Sequence, residues 1–144
     1  MNQTDRKYDP QELCVRAKEV AQNAYAPYSN FRVGAAVKGR KGIYLGTNVE
    51  NASYGLATCA ERVALAAAIT HNDRNIYAIA VACIDADPKQ GLEEFVPCGA
   101  CRQWIVEIAP DADILICNKD EVFTIGELFP IPFRIALHQT DIQP

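Results

Sequence analysis

Apolar residues along this chain follow two kinds of spacing. Over residues 10–25 (PQELCVRAKEVAQNAY), Leu13, Ala17, Val20, Ala21 and Ala24 recur every three or four positions, which predicts an amphipathic helix. Asp9 stands at the cap, Pro10 at the first helical position and Glu12 three residues after the cap, and Pro27 ends the run. Residues 31–38 (FRVGAAVK) and 43–47 (IYLGT) read as two strands joined by a short turn from Gly39 to Gly42, a hairpin. Residues 59–70 (CAERVALAAAIT) are apolar nearly all round and predict a buried helix, with Thr58 as its cap. The continuous run 76–84 (IYAIAVACI) fits a central strand covered on both faces. A polar loop over 85–96 precedes a second buried helix at 99–109, stopped by Pro110. Residues 113–117 (DILIC) predict a strand, 118–121 a polar turn, 122–124 a short antiparallel return, and 125–129 a short helix ended by Pro130. This order predicts an α/β fold, a three-layer α/β/α sandwich around a mixed five-stranded sheet. Residues 1–9 are expected to be a flexible N-terminal segment, and residues 10–144 one domain.

Composition narrows the class. In a chain of 144 residues, 49% hydrophobic residues supply enough apolar surface for a real core without covalent staples. The formal net charge of −4 disfavours a phosphate backbone as partner, so nucleic acid is not expected and free small molecules remain open. The N-terminus, MNQTDRKYD, has no apolar core of a secretory signal, and no apolar run approaches the ~20 residues needed to span a bilayer. A cytoplasmic protein with no membrane partner is therefore expected, and its thiols should be reduced.

Six cysteines then ask for a use other than disulfides: Cys14, Cys59, Cys83, Cys98, Cys101 and Cys117. The sharpest pattern is PCGAC at 97–101. Alone it is compatible with a redox pair, half of a metal site, or two small residues packed in a turn. The segment TCAE at 58–61 supplies the second half. Cys59, Cys98 and Cys101 all fall at predicted helix N-termini, where unpaired N–H groups and the helix dipole favour thiolate. Three protein ligands with the fourth position left to water is the catalytic zinc pattern, and Glu61 is spaced to reach over that open position. Cys14, Cys83 and Cys117 are expected in the core, and His71 and His138 show no ligand spacing. Three thiolates leave the zinc site with an excess negative charge, which Arg62 is placed to offset by hydrogen bonding to ligand sulfur.

C-A-E followed by P-C-x-x-C resembles the signature of the zinc nucleobase deaminases, and a cysteine at the first ligand position resembles the small, homotetrameric cytidine deaminases. The similarity extends to AYAPYSNFRVGAAV (24–37), NVENASYG (48–55), TCAERVAL (58–65) and PCGACRQ (97–103). The resemblance implies one zinc ion per subunit and hydrolysis of cytidine and 2′-deoxycytidine to the uridine products with release of ammonia. It implies Glu61 as the proton carrier, Asn48 and Glu50 on the ribose hydroxyl, and Phe31 packing on the nucleoside. Ala60 would offer a backbone contact to the pyrimidine, and Ala52 and Tyr54 would lie near the ribose. Phe133 would cover the pyrimidine from another subunit, placing the sites at interfaces of a homotetramer. It also implies an antiparallel final hairpin, where the polynucleotide-editing branch resembles a parallel arrangement.

Read without the resemblance, NVENASYG is a polar loop with Asn-driven turns, and Phe31 and Phe133 are ordinary inward aromatics. The loop at 85–96 is longer than the family pattern, and the tail after Phe133 lacks its Ser-rich segment. These departures keep open a rival substrate: a modified or N4-substituted cytidine, or a blasticidin-like aminonucleoside. A polynucleotide deaminase would need basic strips that this chain lacks. A purely structural zinc domain would need a fourth ligand and would have no use for Glu61.

Overall fold

The computed structural model describes residues 7–136. Its elements, in chain order, are α1 (Pro10–Ala21), β1 (Val33–Gly39), β2 (Ile43–Thr47), α2 (Ala60–Thr70), β3 (Ile76–Cys83), α3 (Gly99–Ile108), β4 (Asp113–Ile116), β5 (Glu121–Phe123) and α4 (Ile125–Leu128). The sheet order is β2-β1-β3-β4-β5. Only the β3–β4 pair is parallel, and β4 and β5 form the expected antiparallel hairpin.

Strand alternation sorts the core into two layers. On one face, Ala35 and Val37 of β1, Ile79, Val81 and Cys83 of β3, and Ile114 and Ile116 of β4 pack under α2, α3 and α4. On the other, Ala36, Ala78, Ala80, Ala82 and Leu115 meet Leu13 and Ala17 of α1. The back face of β3 is all alanine, so α1 lies close to the sheet. The closeness is sharpest at Gly34, where a Cβ would stand 2.0 Å from the Ala17 carbonyl oxygen. Gly46 plays the same part on the front face: a Cβ there would stand 2.5 Å from both the Ala60 carbonyl oxygen and the Ala64 nitrogen of α2.

Three local expectations are corrected. The first helix ends at Ala21, not near residue 25, because Tyr25 is drawn into backbone pairing: its N–H donates to the Asn48 carbonyl (3.1 Å) and its carbonyl accepts from Glu50 N–H (2.8 Å). Asp9 does cap this helix, accepting from Gln11 N–H. The cap position of α2 is Cys59 rather than Thr58, since Thr58 exchanges both backbone hydrogen bonds with Val49 (2.9 Å each). Finally, Cys14 and Cys117 are not separate core thiols. They are joined as a disulfide, with Cα atoms 5.6 Å apart, tying α1 to the end of β4. Cys83 is a buried core thiol as expected, and His138 lies outside the described residues. Among the described residues, no helix is long and apolar enough to cross a membrane.

Candidate metal centre and substrate cleft

The front layer brings two helix N-termini together. Cys59 is the N-cap residue of α2, Cys98 is the N-cap residue of α3, and Cys101 lies in the first turn of α3. Neither cap cysteine uses its side chain to satisfy the helix N–H groups. Their sulfurs are left to face one another: Cys59 to Cys98 is 3.6 Å and Cys98 to Cys101 is 3.6 Å, with all three sulfurs within 4.8 Å of one another. Tetrahedral zinc with bonds near 2.3 Å sets its sulfur ligands about 3.8 Å apart, so this triangle fits the ion with little adjustment. Among the described residues, this is the one group of three or more His, Cys or acidic ligand atoms close enough to share a metal. Burial is graded across it: Cys101 is buried, Cys59 half-buried and Cys98 exposed, so one side of the site is open.

Charge is arranged to suit a thiolate at Cys59. The Cys59 thiol is lowered to about 5, by a hydrogen bond from Cys101 first and by Arg62 and Cys98 after it. Cys101 is correspondingly pushed up, because it holds its proton toward Cys59. Arg62 Nη2 donates to Cys59 Sγ at 3.6 Å. Arg62 Nε is buried with no hydrogen-bond partner among the described residues, so this guanidinium keeps unspent donor capacity beside the sulfurs. Glu61, next along α2, is only 5% exposed. Its Oε2 lies 3.4 Å from Cys101 Sγ, and burial above all pushes its carboxyl upward. A carboxylate this dry is costly to hold in the core unless it serves the adjoining site. Cys83 lies behind it, pushed up to about 12 by burial and by the Glu61 charge, and stays a thiol.

The other residues singled out from the sequence fall in four places. Ala60 is buried at the start of α2. Asn48 faces Phe31: its Nδ2 donates to the Phe31 carbonyl (2.7 Å) and its Oδ1 accepts from Val33 N–H (2.8 Å), so the amide fixes the backbone that carries the Phe31 ring. Glu50 Oε1 accepts from the N–H groups of Tyr28 (3.0 Å) and Ser29 (3.1 Å), and Ser29 is the main cause of its lowered carboxyl pKa. Glu50 and the exposed Tyr54 line one cleft of about 300 Å³ with Tyr28 and Ser29, while Ala52 is exposed on the same loop. Phe133 is not there. It lines a different cleft, beside Gln103, Val106 and Glu107, with its ring largely exposed. Sequence reasoning passed over Tyr28 and Ser29, because their contribution is backbone N–H, which no side-chain pattern reveals. It also passed over Arg102 and Gln103, which stand in the PCGACRQ run just after the ligands.

Comparison with known proteins agrees with this geometry. Residues 7–117 match the model of the cytidine and deoxycytidylate deaminase zinc-binding region. The chain belongs to that family. A cytidine deaminase of Halalkalibacterium halodurans is 42% identical over 130 residues, covering 87% of this chain and 94% of that protein. Among solved structures, cytidine deaminase from Burkholderia pseudomallei superposes with a TM-score of 0.77 at 41% identity, covering 88% of this chain and all of that one. The Mycobacterium tuberculosis enzyme superposes with a TM-score of 0.73 at 31% identity, covering 90% and 100%. The mixed five-stranded sheet is thus the fold of this zinc-binding deaminase family, and Cys59, Cys98 and Cys101 form the candidate metal site in this chain.

Proposed function

We infer that this protein is a zinc-dependent cytidine deaminase, a hydrolase of the C–N bond in a cyclic amidine. It converts free cytidine and 2′-deoxycytidine to uridine and 2′-deoxyuridine with release of ammonia. The observation that carries this reading is a dry carboxylate, Glu61, set against three converging cysteine sulfurs at two helix N-termini. When bound, zinc supplies a water acidic enough to attack near neutral pH. Glu61 then carries protons: it accepts one from the attacking water and gives it to N3 of the pyrimidine. It then takes the remaining proton of the new hydroxyl on C4 and delivers it to the departing amino group, so that the C4–N bond breaks as the carbonyl forms and ammonia leaves. A carboxyl pushed upward by burial suits a group that must act as base and then as acid. Arg62 offsets the charge of the sulfur ligands through its contact with Cys59.

For substrate, Phe31 and the backbone of Ala60 face the pyrimidine, Asn48 and Glu50 take the ribose hydroxyl, and Ala52 and Tyr54 border it. Asn48 and Glu50 are already ordered by backbone hydrogen bonds, so little entropy is lost when they receive a ligand. Phe133 lines a separate cleft, in keeping with a role in a neighbouring subunit of a homotetramer. Residues 10–144 act as one catalytic domain, working in the cytoplasm in pyrimidine salvage.

Loss of cytidine absorbance on conversion to uridine, followed with and without a zinc chelator, tests the assignment directly. Glu61→Gln is expected to keep one zinc per chain and to lose turnover by at least about 10²-fold. Near-normal turnover without Glu61 or without metal refutes the mechanism. Light scattering that finds a fully active monomer refutes the tetramer.

A further inference from the structure

Two consecutive side chains of α3 join parts of the molecule that the chemistry would otherwise treat separately. Arg102 Nε donates to the Pro97 carbonyl at 2.8 Å, one residue before the ligand Cys98. The same guanidinium, through Nη1, donates to the Leu128 carbonyl at 2.7 Å, at the end of α4. Gln103 Nε2 donates to the Phe133 carbonyl at 2.9 Å. Between Leu128 and Phe133 runs the sequence FPIP, in which Pro130 and Pro132 fix two φ angles and stiffen the arm. The arm is therefore held at its root by Arg102 and at its tip by Gln103. The helix doing this is also capped by Cys98 and carries Cys101. Leu128 and Phe129 pack on the front core, whereas Ile131 and Phe133 are exposed. The root of the arm is thus half-buried and its aromatic tip is presented outward.

We propose that Arg102 is a positioning residue that sets two things at once, the metal loop at Pro97–Cys98 and the Phe129–Phe133 arm, with Gln103 fixing the arm alone. The proposal rests on the reading that Phe133 covers substrate in a neighbouring subunit. A planar guanidinium reaches both carbonyls because its donors diverge in one rigid plane. A lysine ammonium is a point donor on a flexible stem and serves only one of them.

The test compares Arg102→Ala, Arg102→Lys, Gln103→Ala, Phe133→Ala and the double variant Arg102→Ala/Phe133→Ala. Two quantities are read: zinc retention against a chelator, and KM separately from kcat for cytidine. Phe133→Ala and Gln103→Ala are expected to raise KM with zinc retention unchanged. Arg102→Ala is expected to raise KM about tenfold and also to weaken zinc retention. In the double variant KM rises no further than in Phe133→Ala, because both changes disable the same arm. Should Arg102→Ala fail to fold, Arg102→Lys carries the test: it keeps the charge yet still raises KM or weakens zinc retention, whereas a role for charge alone would be rescued. A rise in KM for Phe133→Ala with no change in either Arg102 variant overturns this proposal and leaves the reading of Phe133 intact. Multiplying KM effects in the double variant also overturn it. An unchanged KM in Phe133→Ala overturns the substrate-covering reading itself, and the proposal with it.

Discussion

The two faces of the sheet use cysteine in opposite ways. On the front, Cys59 and Cys98 sit at helix caps and Cys101 in a first turn, with sulfurs 3.6 Å apart and unbonded. On the back, Cys14 lies midway along α1, its sulfur bonded to Cys117 just past β4. Position on the helix decides the chemistry. A helix N-terminus presents unpaired N–H groups and partial positive charge, which hold thiolates near one another for a metal. The flank of a helix packed on a strand offers no such field, but brings two Cβ atoms into bridging range. The front is built for a ligand, and the back is built for cohesion.

Removing one sulfur from each face is the harshest way to break that contrast. Cys98 is exposed, so Cys98→Ala opens no cavity and the fold should survive. It is expected to lose stoichiometric zinc and at least about a thousandfold in turnover. The double variant Cys14→Ala/Cys117→Ala should keep one zinc per chain and near-normal kcat at room temperature. Metal analysis beside a cytidine assay separates the two. Equal loss of zinc from both variants would mean that the faces are not independent.

The back-face pair should show itself in stability instead. The disulfide spans 103 positions in sequence, and closing a loop of that size removes unfolded-state entropy worth up to about 4–5 kcal/mol. Calorimetry is expected to show the double cysteine variant, or the reduced protein, melting on the order of 10 °C lower. No change in melting temperature on reduction would show that the bridge does not form in solution.

The two glycines give a finer probe, because both lie beneath a helix and only one lies beneath the site. Gly34→Ala drives a Cβ into the backbone of α1 at Ala17 and Ala21, and Gly46→Ala drives one into α2 at Ala60 and Ala64. Each should cost about 1–3 kcal/mol of stability. The first is expected to leave kcat/KM of the folded enzyme unchanged. The second displaces the turn that carries Glu61 and should lower kcat/KM by about tenfold. Equal activity in both would detach the position of α2 from catalysis.

The contrast also explains what could be read from the sequence. The front site was legible because both ligand segments are short, local and chemically peculiar: TCAE and PCGAC each place cysteine at a predicted helix start. The layers were legible too, since the unbroken apolar run of β3 fits a strand covered on both faces, although its sorting into Ala78, Ala80 and Ala82 on one side and Ile79, Val81 and Cys83 on the other emerges only from the packing. The back bridge was not. Cys14 and Cys117 lie in separate elements far apart in sequence, and only the packing of α1 over β4 brings them together. Likewise Asn48 and Glu50 are ribose contacts by the resemblance alone, and without it part of a polar loop with Asn-driven turns. Their first partners are the backbone of Phe31, Val33, Tyr28 and Ser29, long-range contacts with no local signal.

The mildest test concerns the ion pair that laces β1 to the end of β3. Arg32 grips Asp85 through Nε and Nη2, at 2.8 Å each, and Arg32 N–H adds a third bond. Arg32 holds the Asp85 carboxyl down to about 2, against an ordinary value of 3.8. The folded state therefore prefers the ionised form. Its stabilising share is complete above about pH 4 and disappears as pH falls through about 2. Both side chains meet solvent, so water and salt screen the pair and its worth is small. Asp85→Asn is expected to lower the melting temperature at pH 7 by about 2 °C or less, less still at high salt, with the gap from the parent closing toward pH 2. The Cys14–Cys117 bridge carries no titrating proton, so its contribution should persist across that same window. A gap for Asp85→Asn that stays open at pH 2 would show that the side chain acts through packing rather than charge.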